Sequence, residues 1–132
     1  MDRVAFQTAL AGISWNRWCS NGRRNRSSES PGVPVVICAL PLERWAIRDI
    51  DPQAPTHVLV LPKAHIASAA DLTDADGPLL GRLFAVAATL ARQEGLDGGW
   101  RLVTNVGDDG GQTVDHVHVH LLGGRPMNWP PG

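Results

Sequence analysis

His116, His118 and His120 alternate with Val117 and Val119, and Leu121-Leu122 follows. A period of two is the mark of a β-strand, which sends successive side chains to opposite faces. The pattern therefore predicts three imidazoles on one face and Val117, Val119 and Leu121 on the other. The apolar face suits a core. The other offers three groups that titrate near neutral pH and can act as nucleophiles, proton carriers or metal ligands. The chain has five histidines in all, so three in one short stretch point to a site.

Two chemistries compete for these residues. Zinc takes imidazoles in a tetrahedral set with one position open, and His57 or His65 would supply a further ligand. Against this, no cysteine stands at a ligand spacing, and Asp115 adjoins His116 and so faces the other way. Successive same-face residues of one strand are also spaced too widely to close easily on one ion. The second chemistry is attack of an imidazole on phosphorus, with the other ring nitrogen hydrogen-bonded and a neighbouring histidine on the phosphate oxygens. Such a site needs oxyanion donors, and Gly110-Gly111-Gln112-Thr113 lies just upstream. Glycines let backbone N–H groups approach an anion, and Thr113 adds a hydroxyl.

The elements that must position these residues are legible from residue 33 onward. Strands are predicted around Val33–Cys38, Arg44–Ile50, His57–Leu61 and Trp100–Asn105, with turns at Asp51–Pro55 and Gly107–Gly111. Thr73-Asp74-Ala75-Asp76 reads as a helix start with Thr73 as N-cap. Leu79, Leu80, Leu83, Phe84, Ala87, Leu90 and Ala91 follow helical spacing, and Gly95 suits the C′ position with Leu96 packing back. Strands, one long helix, then two more strands around an Asp/Gly loop favour an α+β fold with a mainly antiparallel sheet. Residues 13–42 are different. Ser20 to Gly32 is polar and unpatterned, and reads as a long loop or a disordered segment.

Composition narrows the function classes. The length of 132 residues suits one domain with a real core, and a net charge of −1 gives no global pull toward nucleic acid or anionic membrane. No apolar run approaches the ~20 residues needed to span a bilayer. Residues 1–11 lack the features of a signal peptide, so a cytoplasmic protein is expected, with Cys19 and Cys38 as free thiols.

His116 to Leu122 matches the histidine-triad signature, and the flanks resemble its nucleotide-binding (Hint) branch. Those flanks are Asp109 to Asp115 before the triad and Gly123 to Gly132, ending Trp-Pro-Pro-Gly, after it. Asp49 to His57 and Pro62 to Ile66 are also similar. The resemblance runs from about Glu43 to Gly132. It implies a dimeric α+β fold over a single domain (1–132), with a five-stranded sheet, one long helix and one or more short ones. It implies a metal-independent, cofactor-free hydrolase of purine nucleoside phosphoramidates or acyl-nucleotides, with AMP or an adenosine phosphoramidate as ligand.

By the same resemblance His118 is the nucleophile, His120 the α-phosphate contact, and His116 the residue that orients His118 through its carbonyl. His57 is a fourth histidine that supports the site. Asn105, Gly111 and Thr113 fall at phosphate-contacting positions, and Gln112 is placed with the nucleotide-binding residues. Asp49 matches a ribose-hydroxyl acceptor, with Ile47, Arg48 and Ile50 as base-pocket neighbours. Trp129 resembles a residue that approaches the partner subunit's site. His65 is read as structural. A dinucleoside polyphosphate hydrolase, with Gln112 at a comparable place, is the enzyme alternative. A nucleotide-binding regulatory module with little catalysis is the other. Residues 1–42 depart from the family pattern, apart from a loose likeness at Pro34 to Ile37.

Overall fold

The computed structural model describes Val36, Ile37 and residues 44–132, with side chains from Ala46 onward. The expectations for residues 13–42, including both cysteines, otherwise lie outside the described residues. Five strands form one sheet: β1 (Val36–Ile37), β2 (Arg44–Arg48), β3 (Thr56–Pro62), β4 (Trp100–Val103) and β5 (Val119–Gly123). Their order is β1-β2-β3-β5-β4, and every pairing is antiparallel. The α+β fold expected from the sequence is therefore present, with α1 (Gly77–Gln93) as its long helix and short 3₁₀ turns at Ala69–Asp71 and Asp74–Asp76.

Alternation along the strands separates a core from a site. Val58 and Val60 of β3, and Val119 and Leu121 of β5, join Ala46 in a cluster with Leu83, Val86, Ala87, Leu90 and Ala91 of α1. The residues between them, His57 and Leu59 on β3 and His120 on β5, take the opposite face. Register aligns Ile47, Leu59, His120 and Val103 in one row across the sheet. His57, two residues from Leu59, then sits diagonally from His120, within reach of a long side chain. Burial of the helix stripe stabilises this platform, and truncating Leu83 to alanine would cost about 2–5 kcal/mol.

The C-terminal end of the helix follows the expected chemistry, but the N-terminal end starts later than expected: Asp76, not Thr73, is the N-cap of α1, and Thr73 heads the 3₁₀ turn before it. Thr73 precedes the 3₁₀ turn that leads into α1, and its backbone N–H donates to Asp76 Oδ2 at 2.8 Å. Gly95 takes φ +70, and Leu96 N–H returns to the Ala91 carbonyl at 2.9 Å. This left-handed stop folds Leu96 back into the core. Phe84 departs from the expected apolar face and is 55% exposed, because it lies at the edge of the stripe and Val86 fills the inward position.

The triad strand is also shorter than its alternation suggests. The ladder begins at Val119, and His116 to His118 form the end of the connection from β4. Those residues bond outside the sheet. Val117 N–H donates to the Ile66 carbonyl at 2.7 Å, and the Thr104 hydroxyl donates to the His118 carbonyl at 2.9 Å. β4 and β5 pair as a hairpin would, but their link is residues 104–118, not a short turn.

Candidate active site

A cavity of about 160 Å³ opens on the face opposite α1. β3 and β5 supply His57, Leu59 and His120, and His118 enters from the lead-in to β5. The turn after β2 supplies Asp49, Asp51 and Gln53. The connection after β4 supplies Asn105, Gly111, Thr113 and Val114. The bends of that connection need its glycines. A Cβ on Gly110 would run into the Val106 carbonyl, and Gly111 sits at φ +77.

The hydrogen bonds determine which ring nitrogen carries each proton. His118 Nδ1 lies 2.7 Å from the His116 carbonyl. A carbonyl only accepts, so Nδ1 is the protonated nitrogen, and Nε2 of the neutral ring keeps its lone pair. His118 is buried, and its ring meets His120 edge-on at a centroid distance of 4.9 Å.

A second chain of bonds begins at Gln53. Its backbone N–H donates to His57 Nδ1 at 3.1 Å, and His57 Nε2 lies 2.8 Å from His120 Nδ1. Because His57 Nδ1 accepts, its proton is on Nε2, which donates to His120. His120 must then carry its own proton on Nε2. That atom is buried without a hydrogen-bond partner, an N–H donor at the cavity. Burial, reinforced by the charges of His118 and His57, pushes the His120 pKa down to about 4, so the ring is a neutral donor near pH 7. Burial also lowers His57 against the opposing pull of Asp49 and Asp51. Asp49 Oδ1 accepts from the Asp51 N–H at 2.9 Å, and its Oδ2 lies 3.4 Å from His57 Nε2.

Asp49, His57 and His120 bring one donor atom each within 4.8 Å of one another, a set resembling a metal site. Their protons argue against that use. A metal on His57 Nε2 would move the ring proton to Nδ1, directly against the Gln53 N–H. The three side chains fit a resident metal only if that bond is broken.

Not every expected residue reaches the cavity. Asp49, Asn105, Gly111, Thr113, His57, His118 and His120 line it. His116 stands outside the lining and acts on it through its carbonyl, while its ring Nε2 donates to the Pro62 carbonyl at 2.8 Å. Gln112 also turns away. Its Oε1 accepts from Gly107 N–H at 3.1 Å, and its Nε2 donates to the Ala67 and Val114 carbonyls at 2.8 and 2.9 Å. Ile47 is buried in the sheet, Ile50 is exposed, and the Arg48 guanidinium pairs with Glu94 at the end of α1 at 2.7 Å. Trp129 is 84% exposed, far from any enclosure by its own subunit. Sequence reasoning missed Asp51, Gln53, Leu59 and Val114 of the lining, and also one contact behind it: His65 Nδ1 lies 3.2 Å from His116 Nδ1. The Pro62 to Ile66 stretch was its only signal.

Among the described residues no helix is long and apolar enough to cross a membrane. The HIT domain family model matches residues 35–127. The chain is 53% identical over 102 residues to a 14 kDa zinc-binding protein of Zea mays, covering 76% of this chain and 80% of that one. A HIT family hydrolase from Legionella pneumophila superposes with a TM-score of 0.72 at 51% identity, covering 75% of this chain and 88% of that one. A histidine triad nucleotide-binding protein from Candida albicans superposes at 0.58 with 29% identity, covering 70% and 72%. The match spans the triad, the loop before it and the sheet that carries them, and the chain belongs to the HIT domain family.

Proposed function

We propose that this chain hydrolyses purine nucleoside phosphoramidates or acyl-nucleotides, releasing a nucleoside monophosphate through a nucleotidyl-His118 intermediate. The observation that carries the reading is the 2.7 Å bond from His118 Nδ1–H to the His116 carbonyl. It leaves Nε2 as a nucleophile in a cavity that already holds the donors a phosphate requires. His120 Nε2–H meets a phosphate oxygen, helped by the Gly111 turn and Asn105, and Asp49 accepts from a ribose hydroxyl. His118 Nε2 attacks the α-phosphorus, and the bond to the leaving nitrogen or acyl oxygen breaks. A leaving amine takes a proton through the Thr113 hydroxyl, which becomes reprotonated when water attacks phosphorus and gives up its proton. The bond to His118 Nε2 then breaks, the ring departs neutral with Nδ1–H retained, and the monophosphate is released. The similarity to a hydrolase and to a nucleotide-binding protein supports the same reading.

The engagement of Gln112 with Gly107, Ala67 and Val114 removes it from the cavity, which counts against the dinucleoside polyphosphate alternative. The whole chain is read as one domain. The exposed Trp129 supports a homodimer in which it approaches the partner subunit's pocket. The test is incubation with adenosine 5′-phosphoramidate in EDTA. AMP release and a nucleotidyl-protein adduct on His118, trapped by an alkaline quench and lost on acid treatment, are expected. Loss of activity on chelation would sink the metal-free route. AMP binding without any turnover would turn the reading to a regulatory module.

A further inference from the structure

The loop that presents His118 is held from behind by the last residue of β3 and the residues that follow it. Gln112 Nε2 donates to the Ala67 carbonyl at 2.8 Å, Val117 N–H to the Ile66 carbonyl at 2.7 Å, and His116 Nε2 to the Pro62 carbonyl at 2.8 Å. The last bond determines the His116 ring. Pro62 offers only an acceptor, so the proton is on Nε2, and Nδ1 of the neutral ring is bare. Burial lowers the His116 pKa, which favours that neutral form. The group facing the bare nitrogen is His65 Nδ1 at 3.2 Å, with the rings tilted at 54°. For a hydrogen bond to form there, His65 must be the donor.

We propose that His65 is a positioning residue for this site: its Nδ1–H holds the His116 ring in the Nε2–H tautomer and so anchors the His116 carbonyl against His118. The other tautomer would set a bare His116 Nε2 against the Pro62 carbonyl and a proton against His65. The ring would swing, and the carbonyl that orients His118 is on the same residue. His65 touches neither the cavity nor its donors, so its effect falls on the attacking group and not on nucleotide affinity. The inference rests on His118 as nucleophile.

Long-range ¹H–¹⁵N imidazole spectra and steady-state kinetics of the wild type, His65→Ala and His65→Asn test it. In the wild type, His116 should read as the Nε2–H tautomer with Nδ1 accepting. His65→Ala should mix the His116 tautomers and lower kcat by about three- to tenfold, with KM and AMP affinity unchanged to within about twofold. His65→Asn, whose side-chain N–H can donate to the same nitrogen, should recover kcat to within about twofold. A wild-type His116 protonated on Nδ1 would overturn the proposal. So would full kcat in His65→Ala, or His65→Asn no better than His65→Ala. A wild type that releases no AMP would overturn the reading of the reaction instead, while the tautomer spectra would still decide the His65 contact.

Discussion

Two imidazole chains flank His118, and they differ in what they set. On the cavity side, the Gln53 N–H, His57 and His120 end in a buried donor without a partner. On the loop side, His65, His116 and the Pro62 carbonyl end in a main-chain carbonyl that grips His118. The first prepares a partner for the substrate, and the second prepares the attacking group. Both work because a neutral imidazole has one donor and one acceptor, so pinning one nitrogen pins the other. The cavity chain is anchored by a main-chain donor, and the loop chain by a main-chain acceptor. That difference puts the last proton on His120 Nε2 in one case, and on the nitrogen facing Pro62 in the other.

The division can be broken most decisively at the residue between the chains. His118→Ala should lower turnover of the phosphoramidate by about 10³-fold or more. AMP binding, measured by calorimetry, should survive. Comparable turnover in the variant would refute the nucleophile assignment and leave neither chain with a function. A smaller effect separates the chains from each other. His57→Ala removes the donor that holds His120 and should weaken AMP binding by about tenfold, the worth of one well-made hydrogen bond. Unchanged affinity would mean that His120 needs no preparation.

The smallest effect is on stability. Burial pushes the His120 pKa down to about 4 in the folded protein, against the ordinary 6.5 of histidine. Between those values the unfolded chain binds the proton and the folded chain does not, so stability falls as pH drops through the window. His57 and His116 are shifted in the same direction. Thermal unfolding should therefore move to lower temperature on acidification from pH 6.5 to 4, and His120→Gln should flatten the slope. Equal slopes would show that burial of His120 has no part in the acid sensitivity.

The alternation at His116 to His120 announced three imidazoles on one strand face, but only His120 lies in β5, and the His116 ring turns from the cavity to Pro62 and His65. The apolar spacing from Leu83 to Ala91 announced the helix behind the sheet. Both are local patterns that backbone geometry converts into faces only as far as the element runs. The limits of the strand were less legible. Val117 and His118 look as strand-like as Val119, yet their backbone groups bond to Ile66 and Thr104, residues remote in sequence. Gln112 shows the same limit in a side chain. The family resemblance put it among the nucleotide-binding residues, but Ala67 lies within its reach and takes its amide. His65 was equally opaque, since its meaning depends on a partner 51 residues away.

Residue type and order alone determined the strands, the helix, the triad and the family resemblance, because those depend on periodicity and short spacing. Tertiary structure decided the protons. Each tautomer is set by the group opposite the ring: the Pro62 carbonyl for His116, the His116 carbonyl for His118, the Gln53 N–H for His57. An imidazole's two nitrogens are equivalent to the sequence, and only a fixed neighbour makes one the donor and the other the base.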